Sequence, residues 1–524
     1  MSTVLDSREV ESLVLLVEES TRSSKEGVKR FIEPAQGTLR RAVNKRHHIV
    51  FGRRGSGKSS LLRKAAADLT VDRRPIAYVD LETFKGHTYP DVLLSILLSA
   101  LKEFNDWLGT AAIHPATKTS FWQTLFGTKP NRPAYNRESI QALSLDFARH
   151  TDELQKQLQS ADHTQTTSST KTVEADSSTC DASANLSFQG VGAGAKASQV
   201  STGEVTREQQ QTYKHSKLEF LHQHILEYQD LFRRMRNACG GDSYLFLDDL
   251  YHIRKADQPQ VIDYFHRIAK GNGLWLKVGT IRHRSRWYIN GDPPIGVKLG
   301  DDADEIDLDL TLEKYSLAKE FLTKILKSFA SDCGIVLTTI LNEGATDRLV
   351  LASGGVARDF LAIFRKAVIV ARERGDDSRG PKVGSEDVNR AAGEHEGTKR
   401  EELKRDAVED QVEIELQFDR IVDFCIEQAQ ANLFLLDKSA SGKEVDLIQE
   451  LVDLRLIHFV SSRITVSKKP GKIYEAFMLD VSQYTGSRAR RGFEIVNFWQ
   501  RDAANLRRVK LIYETNQTTV GAAS

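Results

Sequence analysis

The stretch FGRRGSGKSS, residues 51–60, decides how the chain is read. It continues the apolar run Ile49-Val50-Phe51 and sets Gly52, Gly57, Lys58 and Ser59 at the spacing G-x-x-x-x-G-K-[ST]. Between a strand and a helix, a loop of that spacing turns its backbone N–H groups inward around a phosphate chain. Gly52, Gly55 and Gly57 let the backbone come close, and Arg53, Arg54, Ser56 and Ser60 complete the expected lining. Lys58 reaches the outer phosphates as a mobile point charge and Ser59 ligates Mg2+. The helix that opens here points its positive end at the anion.

Working outward, PIAYVDLE (75–82) reads as a second strand and 90–104 as an apolar helix. Strands alternating with helices predict a parallel α/β sheet with the loop at its carboxyl edge. YLFLDDL (244–250) has the pattern of a central buried strand that delivers carboxylates to that edge. Asp248 is placed to hold the Mg2+ shell, and Asp249 to orient the attacking water. LWLKVGT (274–280) predicts another strand, with Thr280 at its end to sense the γ-phosphate. Arg282, Arg284 and Arg286 then alternate, each a candidate to neutralise transition-state charge, against the plain alternative of solvated surface arginines. Arg358 falls in the first turn of the helix after Gly354-Gly355. A cation there opposes the helix dipole, which points to an anion nearby.

The chain has 524 residues, 28% of them charged, with a formal net charge of +1. That length predicts several domains, and that balance excludes a globally basic nucleic-acid coat protein. Cys180, Cys239, Cys333 and Cys425 are scattered without a C-x-x-C pair, so neither a zinc site nor a disulfide framework is expected, and a reducing cytoplasm fits. No apolar run reaches membrane-spanning length, and the N-terminus lacks the pattern of a signal peptide. The expected division is a helical lead-in at 1–45 and a nucleotide domain at 46–310. A helical lid at 311–395, a charged linker at 396–415, a small domain at 416–485 and a basic tail at 486–524 follow. The nucleotide domain is interrupted at about 109–212. Residues 160–206 of that insertion hold 17 Ser or Thr, too little apolar surface to order it, so a flexible linker is expected. Residues 185–200 alternate in part, and a hairpin is the competing reading there.

The last unit reads as helix, helix and two strands joined by the basic turn KKPGK, a winged-helix-like α+β domain. Its charges divide. The helix that would enter a major groove carries Glu444, Asp446, Glu450 and Asp453 against Lys443 and Arg455, which repels phosphates. Residues 461–510 hold eleven Lys or Arg against four Asp or Glu. Duplex DNA, if bound, would therefore meet the turn through Lys468, Lys469 and Lys472 as a phosphate contact.

The order of these motifs resembles the AAA+ ATPases of the origin-recognition initiator branch and the related STAND signalling ATPases. The resemblance covers about 30–108 and 213–485. It implies ATP and Mg2+ as ligands, with Thr280 in the sensor 1 role and Arg358 in the sensor 2 role. The Asp-Asp ending, in place of the usual Asp-Glu, and the long insertion both depart from that pattern. The reading is an ATP switch, hydrolysing slowly, that acts through self-association or a protein partner. A DNA-bound initiator or transposition-type ATPase is the alternative, and a scaffold that binds nucleotide without turning it over is a third.

Overall fold

A computed structural model of the chain describes residues 4–20, 30–113, 135, 137–180, 194–374, 380–406, 411–485, 492–500 and 503–515. Five parallel strands form the first sheet: β1 (His48–Phe51), β2 (Ile76–Asp80), β3 (Ser243–Asp248), β4 (Leu274–Thr280) and β7 (Asp304–Asp307), in the spatial order β2-β3-β4-β1-β7. A small hairpin, β5 (Tyr288–Ile289) and β6 (Ile295–Gly296), hangs between β4 and β7. The central strands are mostly apolar and almost wholly buried because helices cover both faces. Register aligns Phe51 with Thr280 and Asp80 with Asp248, which gathers the predicted site residues at one edge.

The expected parallel sheet is present, but the insertion differs from its expectation. Residues 137–180 and 194–239 are helical, so the hairpin does not form over 194–200, and 181–193 lie outside the described residues. Ile140, Leu143, Phe147 and Leu154 recur at helical spacing and are buried against the helix Asp91–Ile113. Phe104, Phe147 and Phe232 close that contact, with ring centroids 5.2 to 6.2 Å apart. The low apolar content of 160–206 does not describe its flanks.

The lid is a helical bundle built on Tyr315–Asp332, Glu343–Ser353, Ala357–Arg374 and Ser385–Asp406. The helix Arg8–Ser20 buries Val10, Leu13 and Val17 in this same core, so it belongs to the lid rather than leading into the sheet. The last unit carries a mixed sheet in the order β11-β8-β10-β9. Its strands are β8 (Leu433–Asp437), β9 (Ile457–Ile464), β10 (Tyr474–Leu479) and β11 (Ile512–Tyr513). Strand β8, an unbroken apolar run, was not foreseen; it adds a strand ahead of the helix Lys443–Asp453 and the winged β9–β10 hairpin. Residues of the presumed tail pack here too: Val496, Leu506 and Leu511 are buried, and β11 pairs with β8. The architecture is a P-loop parallel sheet with a helical lid and a small winged-helix-like α+β domain.

Candidate nucleotide site

The loop after β1 and the first turn of the helix Lys58–Val71 form the floor of a cavity of about 300 Å³. Arg54, Gly55, Ser56, Gly57, Lys58, Ser59 and Ser60 all line it, with Asp249 and Arg358 facing them. The loop is shaped by contact as well as by torsion. A Cβ at Gly52 would lie 2.3 Å from Ser56 Oγ. At Gly55, whose φ is 86°, it would lie 2.7 Å from Arg358 Cβ, so the lid helix rests directly on the loop. The Arg358 N–H donates to the Gly55 carbonyl at 3.3 Å.

Lys58 is buried, and its ammonium donates to the carbonyls of Gly52 at 3.0 Å and Arg53 at 3.3 Å. Burial lowers its pKa, against the opposing pull of Asp249, Asp248 and Asp309. Asp248 is buried at the end of β3, and its Oδ2 accepts from the Tyr78 hydroxyl. Burial, then the neighbouring Asp249 charge, pushes Asp248 up to about 6. Its Oδ1 is buried without a hydrogen-bond partner, and the nearby Ser59 hydroxyl pulls against the rise. An unpartnered carboxylate oxygen beside a serine hydroxyl fits a Mg2+ ion, which takes few protein oxygens and keeps its remaining positions for water and phosphate. Asp249 has left-handed backbone torsions, φ 58° and ψ 48°. Burial raises its pKa, with Lys58 as the chief opposing charge.

Gly52 and Asp248 are not in the lining of the cavity, and four other residues make contacts different from those expected of them. Arg53 leaves the cavity: its N–H and Nε donate to Asp309 Oδ1 at 2.9 and 3.2 Å, and its Nη2 donates to the Gly354 carbonyl at 2.9 Å. It ties the loop to the lid instead of to phosphate. The Thr280 hydroxyl pairs with Ser285 and does not line the cavity. Arg282 turns away to Glu305 at 3.0 Å and Asp307 at 3.5 Å, its guanidinium 4.0 Å over the Phe51 ring. Lys472 at the basic turn is paired with Asp437 at 2.7 Å, while Lys468 and Lys469 are exposed. Sequence reading missed the other wall of the cavity, where Phe31, Ile32 and Pro34 face Phe321, Ile325 and Phe329 of the lid. That apolar cleft beyond the phosphate loop suits a planar base.

Next to the loop, the lid meets the last domain through buried charges. Arg455 pairs with Asp359 at 2.6 Å, Lys399 with Asp480 at 2.5 Å, and His458 Nε2 lies 3.1 Å from Asp480. Burial would raise both carboxyls. Arg455, His395 and Lys399 outweigh it at Asp359, and Lys399 and His458 do so at Asp480, so both are held below the usual carboxylate range. The charged stretch read as a linker thus supplies Lys399 to a packed junction, beside His395 at the end of the lid. Gly354 and Gly355 make this approach possible, since a Cβ would lie 2.0 Å from His458 Nδ1 at the first and 1.9 Å from the Leu310 carbonyl oxygen at the second. The acidic helix Lys443–Asp453 is docked as well. Lys443, Asp446 and Glu450 face Lys255 and His283 of the sheet domain across a cavity of about 310 Å³.

No protein-family model matches the sequence, and no curated protein does. Among solved structures, the Aeropyrum pernix ORC1 protein in complex with DNA aligns at 14% identity over 86% of this chain and 91% of its own, with a TM-score of 0.34. Cdc6p from Pyrobaculum aerophilum aligns at 10% identity over 94% and 99%, with a TM-score of 0.33. The Aeropyrum pernix ORC2 protein, in its ADP form, aligns at 12% over 86% and 89%, with a TM-score of 0.29. Matches of this kind leave the site's chemistry to this chain's own residues. Among the described residues no helix is long and apolar enough to cross a membrane, and no cluster of three or more His, Cys, Asp or Glu could hold a metal ion.

Proposed function

We propose that the protein is an ATP-binding switch of the AAA+ type that hydrolyses ATP slowly and reports nucleotide state through its lid. The observation that carries this is the buried phosphate loop, with Lys58 held over it, facing Arg358 of the lid across one cavity. Lys58 and the loop N–H groups bind the phosphates, and Ser59 with Asp248 would hold Mg2+, which when bound would neutralise phosphate charge. Asp249 orients water on the γ-phosphate, and Arg358 pulls the lid onto it. The direct contact between Gly55 and Arg358 supports such coupling, because phosphate entering the loop meets the lid at once. The buried junction would pass that movement to the last domain.

A DNA-associated initiator is the second reading. It is favoured by the winged hairpin, with Lys468 and Lys469 exposed at its tip. The docking of the acidic helix favours the switch, because that helix is turned to the sheet domain.

Titration calorimetry and turnover on two variants test the proposal together. Lys58→Ala should weaken Mg-ATP binding at least roughly tenfold, about 1.4 kcal/mol. Asp249→Asn should leave affinity nearly intact while lowering turnover. Equal affinity in Lys58→Ala would remove the phosphate-site assignment, and unchanged turnover in Asp249→Asn would move the water-orienting role elsewhere.

A further inference from the structure

The lid helix Tyr315–Asp332 presents a second face to a second site. Phe321, Ile325 and Phe329 line the nucleotide cavity. Around the helix, Lys319, Lys324 and Lys327 line an open groove of about 620 Å³ whose far side is Trp499. Trp499 also walls a second cavity of about 570 Å³, into which Lys314, Arg463 and Arg507 project. The indole is half-buried, with its centroid 6.1 Å from the Tyr315 ring and 5.2 Å from the Phe498 ring.

At the hairpin tip Lys472 is paired with Asp437, whereas the cations here form a larger unpaired set. Lys314, Lys324, Lys327, Arg463 and Arg507 are exposed and have no ion-pair partner among the described residues. Of the acids present, Asp347 is occupied by Lys319 and the Tyr315 hydroxyl, and Glu313 accepts from Ser462; Glu320 remains. Thr323 Oγ1 in the groove is buried without a hydrogen-bond partner.

We propose that this groove binds single-stranded nucleic acid, with Trp499 and Tyr315 as the stacking surface and the five unpaired cations tracking the phosphates. Aromatic faces flanked by unpaired cations match the way strands with exposed bases are held without sequence preference. A duplex keeps its base faces stacked inside and gains nothing from the indole. An acidic peptide would use the cations alone. One helix walls both sites, so any coupling between strand and nucleotide acts on both affinities by the same factor. That coupling rests on the ATP reading, whereas the groove stands on its own geometry, so strand binding is measured first without nucleotide.

The test is fluorescence anisotropy of the full chain with a labelled oligothymidylate of about 16 nucleotides, the long end of single-strand site sizes. A duplex of the same length runs in parallel. The strand should bind more tightly than the duplex, and Trp499→Ala should weaken it by roughly tenfold, the loss of one stacking platform. Trp499→Phe keeps an aromatic face and should retain most of the affinity, which separates stacking from misfolding. Lys324→Ala with Lys327→Ala should flatten the slope of log K against log salt by about 1.4, at roughly 0.7 per lost contact on a single strand. The proposal is overturned by any of four results: no strand binding at low salt, equal affinity in Trp499→Ala, tighter duplex binding that depends on Lys468 and Lys469, or displacement of the strand by polyglutamate as readily as by unlabelled oligothymidylate.

Discussion

The phosphate cavity and the lid junction both bury carboxylates beside cations, yet the two regions end in opposite electrostatic states. At the cavity burial dominates: Asp248 rises to about 6 and its Oδ1 has no partner. At the junction the facing cations dominate, and Asp359 and Asp480 are held below the ordinary carboxylate range. Asp359 Oδ2 also lacks a hydrogen-bond partner, so the difference lies in the facing charge: a carboxylate short of cations can take one from a ligand, whereas one matched by cations from another domain holds that domain in place.

The largest effect should come from breaking the matched side. Asp359→Asn keeps the shape but leaves Arg455 buried without its charge partner, at a cost of roughly 3–5 kcal/mol. A lowered urea midpoint, read by a probe in the last domain, would show it; an unchanged midpoint would mean the junction charges do not hold the domains together.

A smaller effect separates the regions by the sign of their pH dependence. Asp248 is raised, so in nucleotide-free protein its burden is absent below the ordinary value of 3.8 and complete once pH passes about 6. Asp359 and Asp480 are depressed, so the stability they contribute is present above the ordinary carboxylate range and is lost as pH falls through their lowered values. Asp248→Asn should therefore stabilise the apo protein more at pH 7 than at pH 4, whereas the loss in Asp359→Asn should stay nearly constant over that interval and shrink only below the ordinary carboxylate range. Urea midpoints at the two pH values decide this, and parallel trends in both variants would erase the contrast.

The smallest effect is expected at Arg282. Its partners Glu305 and Asp307 are about half exposed, so Arg282→Ala should change stability by roughly 0–1 kcal/mol. Turnover should not move, and a collapse in a steady-state assay would return Arg282 to the reacting phosphate.

What the sequence made legible follows from range. Gly52 to Ser59 and the acids ending β3 are local patterns imposed by one chemistry, so they could be read directly. Arg282 could not be assigned, because its partners lie on β7 and alternate spacing does not reveal pairing. Charge density at 396–415 looks solvated in one dimension, yet Lys399 is matched by Asp480 from another element. The apolar wall at Phe31 and Phe329 joins segments far apart in the chain, and no single window contains it.

The N-terminal helix carries a consequence for how the protein is made. Leu5 accepts through its carbonyl from Arg372 Nε at 2.8 Å, across 367 residues, and Val10, Leu13 and Val17 share the lid core. At about 5–20 residues per second of synthesis, the first helix leaves the ribosome on the order of 20 to 70 s before its packing partners exist. Its apolar stripe must stay unsatisfied through that interval. The nucleotide cavity, walled by Phe31 on one side and the lid on the other, is among the last parts of the fold to close.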